Sequence, residues 1–209
     1  MGIKNRRAQE KVARREAILK AAKAVFADKG LLGGTIDEIA ERAEIGKGTI
    51  YLYFKTKEEM FAALMEEGLA LMAQRFRDAI DPSLPADENL RRISGAYYRF
   101  YREDPQYFRL LAFCSHADVR ARTGVDPSDE QGLVCLGLVS GVIQKGIDDG
   151  LFSPSVDARQ AAAIGWASSN GIIFIYEQDP EHEKKLNLPI EELLKTNIDL
   201  LIRGLKSPQ

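Results

Sequence analysis

The chain has 209 residues, 45% of them apolar and 29% charged, with a formal net charge of −2. That length supports one large or two small domains whose core needs no covalent staples, and with no apolar run of the ~18 residues a membrane span requires, a membrane partner is not expected. Two cysteines, Cys114 and Cys135, and no signal-peptide pattern give the expectation of a reducing, cytoplasmic setting with both thiols outside any disulfide.

The small net charge conceals a division. Residues 1–57 hold thirteen Lys/Arg against seven Asp/Glu, a charge of +6, and the remainder holds sixteen against twenty-four, a charge of −8. A basic module joined to an acidic one is the distribution expected of a nucleic-acid reader coupled to a sensing or assembly unit.

In chain order, Met1 to about Ala13 carries Lys4, Arg6, Arg7 and Lys11 without an apolar period. It reads as a mobile arm, either adding phosphate or minor-groove contacts or serving as a solvated tail. From Arg14 to Lys29 the residues Ile18, Leu19, Ala22, Val25 and Phe26 recur at helical spacing, and Gly30 is placed to end that helix. Thr35 can cap the next one while Glu38, three residues on, closes a capping box, and Ile36, Ile39, Ala40 and Ala43 share a face. A turn at Glu44-Ile45-Gly46 leads into a two-turn helix from Lys47 to Phe54. Its Ile50 and Phe54 point inward, leaving Lys47, Gly48, Thr49, Tyr51 and Tyr53 outward. Hydroxyls, a lysine and aromatics on a short rigid rod suit phosphates and base edges.

Thr56 and Glu59 form a second capping box, opening a helix through Phe61, Leu64, Leu69, Met72 and Phe76 to a break at Asp81-Pro82-Ser83-Leu84-Pro85. Lys57 lies in its first turn, where the helix dipole disfavours a cation unless a phosphate is near. Further helices follow with no strand pattern. One carries Leu90, Ile93, Tyr97, Phe100 and Tyr101; one starts at Asp104-Pro105; one runs from Asp126-Pro127 to Gly150. Asp157 caps another through Trp166 to Tyr176, and Pro189 opens the last.

The run TIDEIAERAEIGKGTIYLYFKTKEEMF, with its Gly-Thr-Ile-Tyr-x-Tyr-Phe core and the following Lys-x-Lys-Glu-Glu, resembles the DNA-binding signature of the TetR family of bacterial transcriptional regulators. The resemblance covers roughly residues 12–75. Glu44 stands where the family usually has a turn glycine and Gly46 where it often has a capping serine, so Glu44 is expected to accept a left-handed backbone.

The resemblance implies an all-α fold: a three-helix, helix-turn-helix DNA-binding domain over residues 1–57 and a helical effector-binding and dimerisation domain over residues 58–209. It implies a ligand-responsive regulator, more often a repressor, that binds a palindromic operator in double-stranded DNA as a homodimer. The DNA-facing set is then Thr35, Lys47, Gly48, Thr49, Tyr51, Tyr53 and Lys57. GLVCLGLVSGVI and AAAIGWASSNGIIFIY leave little polar face, so part of their surface should be covered by another subunit. By resemblance the last two long helices, about Ala158 to Tyr176 and Pro189 to Leu205, form the dimer, with Ile190, Leu194, Asn197, Ile198, Leu201 and Leu205 at its seam.

Aromatic and polar residues gather on the middle helices: Tyr97, Phe100, Tyr101, Phe108, Phe113, His116, Trp166, Asn170 and Phe174. Each is readable as plain core, and together they supply the apolar walls and few polar groups of a small-molecule site. The resemblance makes the ligand an apolar or amphipathic effector. A helical DNA-binding protein without sensing is the alternative reading, and a helical enzyme the third. Against the enzyme, Cys114 and His116 lie two apart and so on different helix faces, and Gly46-Lys47-Gly48-Thr49 lacks the spacing of a phosphate-binding loop. No cofactor and no metal are expected.

Overall fold

The computed structural model describes residues 3–113, 121, 130–179 and 181–206. Asp126-Pro127 lies outside them, as does His116. Ten α-helices and no strand occur among the described residues, so the fold is all-α. They are α1 (Ile3–Gly33), α2 (Ile36–Arg42), α3 (Lys47–Tyr51), α4 (Lys57–Ala79), α5 (Ala86–Glu103), α6 (Pro105–Phe113), α7 (Glu130–Asp148), α8 (Ala158–Gln178), α9 (His182–Leu186) and α10 (Ile190–Leu205). None of these helices is long and apolar enough to cross a membrane. The chain forms two compact units, Met1–Leu69 with Asp104–Asp129 and Ala70–Glu103 with Glu130–Gln209.

In the first unit the arm expected before Ala13 is helical from Ile3 onward. It is rich in Ala, Lys and Arg, good helix formers, and Arg6 pairs with Glu10 one turn on at 2.9 Å. Its side chains from Asn5 to Ala17 stay exposed, so helicity propagates from the packed half, where Ile18, Leu19, Ala22, Val25 and Phe26 are buried. Gly30 departs from helical geometry at φ 68° and kinks the chain at the expected position. The core gathers these residues with Ile39, Ile50, Phe54, Phe61, Leu64 and Leu110, and α6 packs along α1. Phe26 meets Phe61 edge-on at 5.4 Å.

In the second unit α5, α7, α8 and α10 pack on one another. α5 is strongly amphipathic, burying Leu90, Ile93, Tyr97 and Phe100 at helical spacing. The Pro-rich break is stitched by a residue the sequence pattern did not single out: Asn89 is buried, accepts from Asp81 N at 2.8 Å and donates to the carbonyls of Asp81 and Leu84. Asp157 caps α8 as expected, accepting from the Arg159 and Gln160 amides. Gly146 allows a tight crossing, since a Cβ there would stand 2.4 Å from the Phe152 ring.

Candidate functional site

The helix-turn-helix is assembled from caps. Thr35 Oγ1 accepts from Glu38 N at 3.3 Å, and Glu38 Oε2 accepts from Thr35 N at 3.0 Å, the reciprocal pair expected of S/T-x-x-E. Glu38 also pairs with Lys29 on α1, which ties α2 to its brace; this bond, then those from Thr35, hold the Glu38 carboxyl below its ordinary range. Glu44 takes the left-handed conformation at φ 54° in the place of a glycine. Ile45 N then bonds back to Ala40 O at 3.0 Å, satisfying a terminal carbonyl of α2.

α3 is shorter than expected, ending at Tyr51. The chain continues to Phe54 through tightened turns, with Leu52 N on Thr49 O and Tyr53 N on Ile50 O, before Phe54 N closes a wider turn on Ile50 O. Ile50 and Phe54 are buried. Lys47, Gly48 and Tyr51 are exposed and Thr49 is half-buried. Tyr53 is half-buried and packs on the core, so it faces outward only in part. Leu52, which the periodicity did not mark, is 79% exposed on the same turn. Its signal lies in the short length of α3, since a turn after Tyr51 swings position 52 away from the inward stripe.

Two lysines expected at DNA are already engaged. Lys47 Nζ lies 2.9 Å from an Asp37 carboxylate oxygen across the turn, and that partner raises the Lys47 pKa. Lys57 Nζ donates to Gly34 O at 3.0 Å and Leu32 O at 3.3 Å, carbonyls at and just past the C-terminal end of α1. Thr35 is exposed, although its hydroxyl is committed to the cap.

In the second unit Tyr97 OH donates to Asn170 Oδ1 at 2.5 Å, joining α5 to α8. One turn along α5, Tyr101 OH donates to Glu177 Oε1 at 2.7 Å. Burial pushes the Tyr97 phenol pKa well above its ordinary value, and burial also raises the nearby Cys135 thiol to about 11. Both groups stay neutral at physiological pH. Phe100 is fully buried beside them, and Phe76 stacks at an angle on Tyr97 at 6.3 Å. These groups make an apolar interior crossed by two hydrogen-bonded tyrosines. The structure does not bring every expected wall residue there. Trp166, although 51% exposed, does reach it through a side-chain hydrogen bond with Tyr97, whereas Phe174 is 48% exposed, Phe108 is buried in the first unit, and the Phe113 side chain is outside the described set.

The expected seam residues are placed mostly inward. Ile190, Leu194 and Leu205 are buried within the protomer, and Asn197 Nδ2 donates to Ser169 Oγ at 3.2 Å. Leu201 crosses Gly165, where a Cβ would come within 2.9 Å of it. Ile198 is half-buried. The physical reason is that α10 spends its strongest stripe on α5 and α8. On α8 and α10, Ile164, Trp166, Phe174 and Ile175 of the former and Leu200 of the latter are the large apolar side chains left exposed.

Residues 18–64 match the family described as bacterial regulatory proteins, tetR family. The uncharacterized HTH-type transcriptional regulator YhgD of Bacillus subtilis is 30% identical over 181 residues, 86% of this chain and 93% of that protein. The HTH-type transcriptional repressor NicS of Pseudomonas putida is 30% identical over 155 residues, 72% of this chain and 71% of its own length. Among solved structures, FadR of Bacillus subtilis in complex with stearoyl-CoA aligns with a TM-score of 0.75 at 22% identity over 90% of this chain and 98% of that one, a likeness of fold.

Proposed function

The chain belongs to the TetR family of bacterial DNA-binding transcriptional regulators, and from that premise we propose that it is a dimeric repressor released from a palindromic operator by a long-chain acyl thioester. The observation that carries the reading is the recognition turn held against the capped α2, whose exposed Lys47, Gly48 and Tyr51 and half-buried Thr49 form one outward rim. Lys47, Gly48 and Thr49 address base edges, and Tyr51 addresses the phosphate backbone. Thr35, Tyr53 and Lys57 hold that rim in place.

Repression is supported by relatives such as NicS, and the thioester by the stearoyl-CoA bound in the structurally similar FadR. The apolar interior around Tyr97 and Phe100, with its hydrogen-bonded hydroxyls, is chemically suited to such a chain. Dimerisation is supported by the uncovered stripe of Ile164, Phe174, Ile175 and Leu200, because apolar side chains aligned on packed helices favour burial against a second copy. Release then follows as a population shift, the effector favouring a dimer whose two recognition turns no longer match adjacent major grooves. A gel shift with palindromic fragments, repeated with stearoyl-CoA and with free stearate, tests this. Sequence-specific retention lost on adding the thioester is expected; retention unaffected by either compound would leave a DNA-binding protein without this effector.

A further inference from the structure

We propose that the exposed first half of α1 is a rigid phosphate-binding rod that carries the contact of the recognition turn onto the DNA backbone flanking the operator. This rests on the DNA-binding function above and deepens it. From Asn5 to Ala17 every side chain is exposed, yet the segment is helical. With ~3.6 residues per turn, Arg7, Lys11, Arg14 and Arg15 fall within an arc of roughly 100°, so they form one stripe. None of the four forms an ion pair among the described residues. Glu10, the carboxylate nearest the arc, is taken by Arg6 at 2.9 Å, and the helical period puts Glu16 on the far side.

Two features of this face work against the helix unless an anion lies on it. Arg7 with Lys11, and Lys11 with Arg15, are like-charge pairs one turn apart, which disfavour helix formation. The first turn of α1 carries no acidic residue to meet the helix dipole. A merely solvated helix is better served by charges of both signs on one face. A row of phosphates relieves both, since it neutralises the repulsion and supplies anions at a helix N-terminal half. The stripe is also continuous with the reading unit. The Arg15 guanidinium lies 5.0 Å from the centre of the Phe54 ring, and Phe54 closes the turn that follows α3. From Arg15 back to Arg7 the helix spans about 12 Å at ~1.5 Å per residue, the axial length of about three to four base pairs. Phosphates recur at every step and carry no sequence information directly, so the contact depends on the length of the flank and not on its sequence.

The test titrates the full chain, over a range of salt, against an operator selected from a random-sequence duplex pool. The double variant Arg7→Gln with Lys11→Gln should bind about tenfold or more weakly at low salt, with a salt slope smaller by about two units per protomer. Its melting temperature and its base preference at each operator position should match wild type. Trimming the flanks by about four base pairs should weaken wild type and leave the double variant unaffected, and exchanging the flank sequence at constant length should alter neither. Ala13→Pro keeps every charge and breaks the helix outside its packed half, so it should reproduce the double variant. An unchanged salt slope in the double variant, or wild-type binding by Ala13→Pro, overturns the rod. A reduced slope accompanied by a changed base preference assigns Arg7 and Lys11 to base edges and overturns the backbone role. Wild type that retains no duplex from the pool overturns the operator reading and the rod together, whereas operator binding that is identical in wild type and double variant overturns the rod alone.

Discussion

Lys57 and Gly34 are joined through the Lys57 ammonium, which donates to the Gly34 carbonyl at 3.0 Å and closes the C-terminal end of α1 against the N-terminal turn of α4. A cation beside the first turn of its own helix is disfavoured by that helix's dipole, whereas at the carbonyl end of α1 it is favoured. Lys57→Ala should therefore cost about 1 kcal/mol of stability as well as weaken all DNA sequences alike. Thermal melting and a salt titration read the two effects separately. An unchanged melting temperature with a salt slope reduced by about one unit would move Lys57 to the phosphate backbone alone.

Asp37 holds Lys47 at 2.9 Å, so the lysine must change partner to reach a base edge. Asp37→Asn removes that competitor and a negative charge beside the DNA, and several-fold tighter operator binding is expected, most visible at low salt. Lys47→Ala should instead change which base pair is preferred, by about tenfold or more at one position. Competition binding against a set of single-substituted operators distinguishes a change of preference from a uniform loss.

Leu194 is 3% exposed and Leu200 is 61% exposed, although both sit on α10. Leu194→Ala should lower stability by ~2–5 kcal/mol through loss of core packing. Leu200→Glu should leave the protomer folded and yield monomers in sedimentation, with operator affinity falling alongside. The chain has one tryptophan, and Trp166 lies on α8 beside this face, so its emission should shift to the red in Leu200→Glu. An intact dimer in Leu200→Glu would sink the proposed interface.

The Glu38 carboxyl is held below its ordinary 4.5, chiefly by Lys29 and then by Thr35. Because the folded-state value is the depressed one, the stabilisation is fully present above 4.5 and is lost as pH falls through the folded value. Glu38→Gln should therefore melt earlier than wild type at neutral pH, with the gap closing on acidification. A gap that is constant from neutral pH down to the acid limit would show that the cap geometry, not the charge, is what Glu38 supplies.

Tyr97→Phe removes the hydroxyl that joins α5 to α8 through Asn170. About 1–2 kcal/mol of stability should go with it. If the pair also receives the effector, the concentration of stearoyl-CoA needed to release the operator should change while apo operator affinity stays as in wild type. Melting paired with release curves decides whether this bond serves the fold alone.

Local chemistry determined much of this protein from the sequence by itself. Thr35 with Glu38, Asp157 before α8 and the kink at Gly30 are satisfied by neighbours within a few residues, so the chain carries their partners with it. The inward positions Ile50 and Phe54 were legible for the same reason, since the helical period alone puts them on one face. Other features were decided by tertiary structure, because their partners are distant in sequence or their position depends on which faces meet. The Lys57 ammonium finds carbonyls 23 and 25 residues back, and no periodicity signals that. Asn89 became a loop anchor because the Pro-rich break folds over it. On α10 the sequence offered an apolar stripe without saying what would cover it. Packing on α5 and α8 buried Leu194 and left Leu200 outside, since an amphipathic helix satisfies its strongest face first and leaves the remainder for a partner.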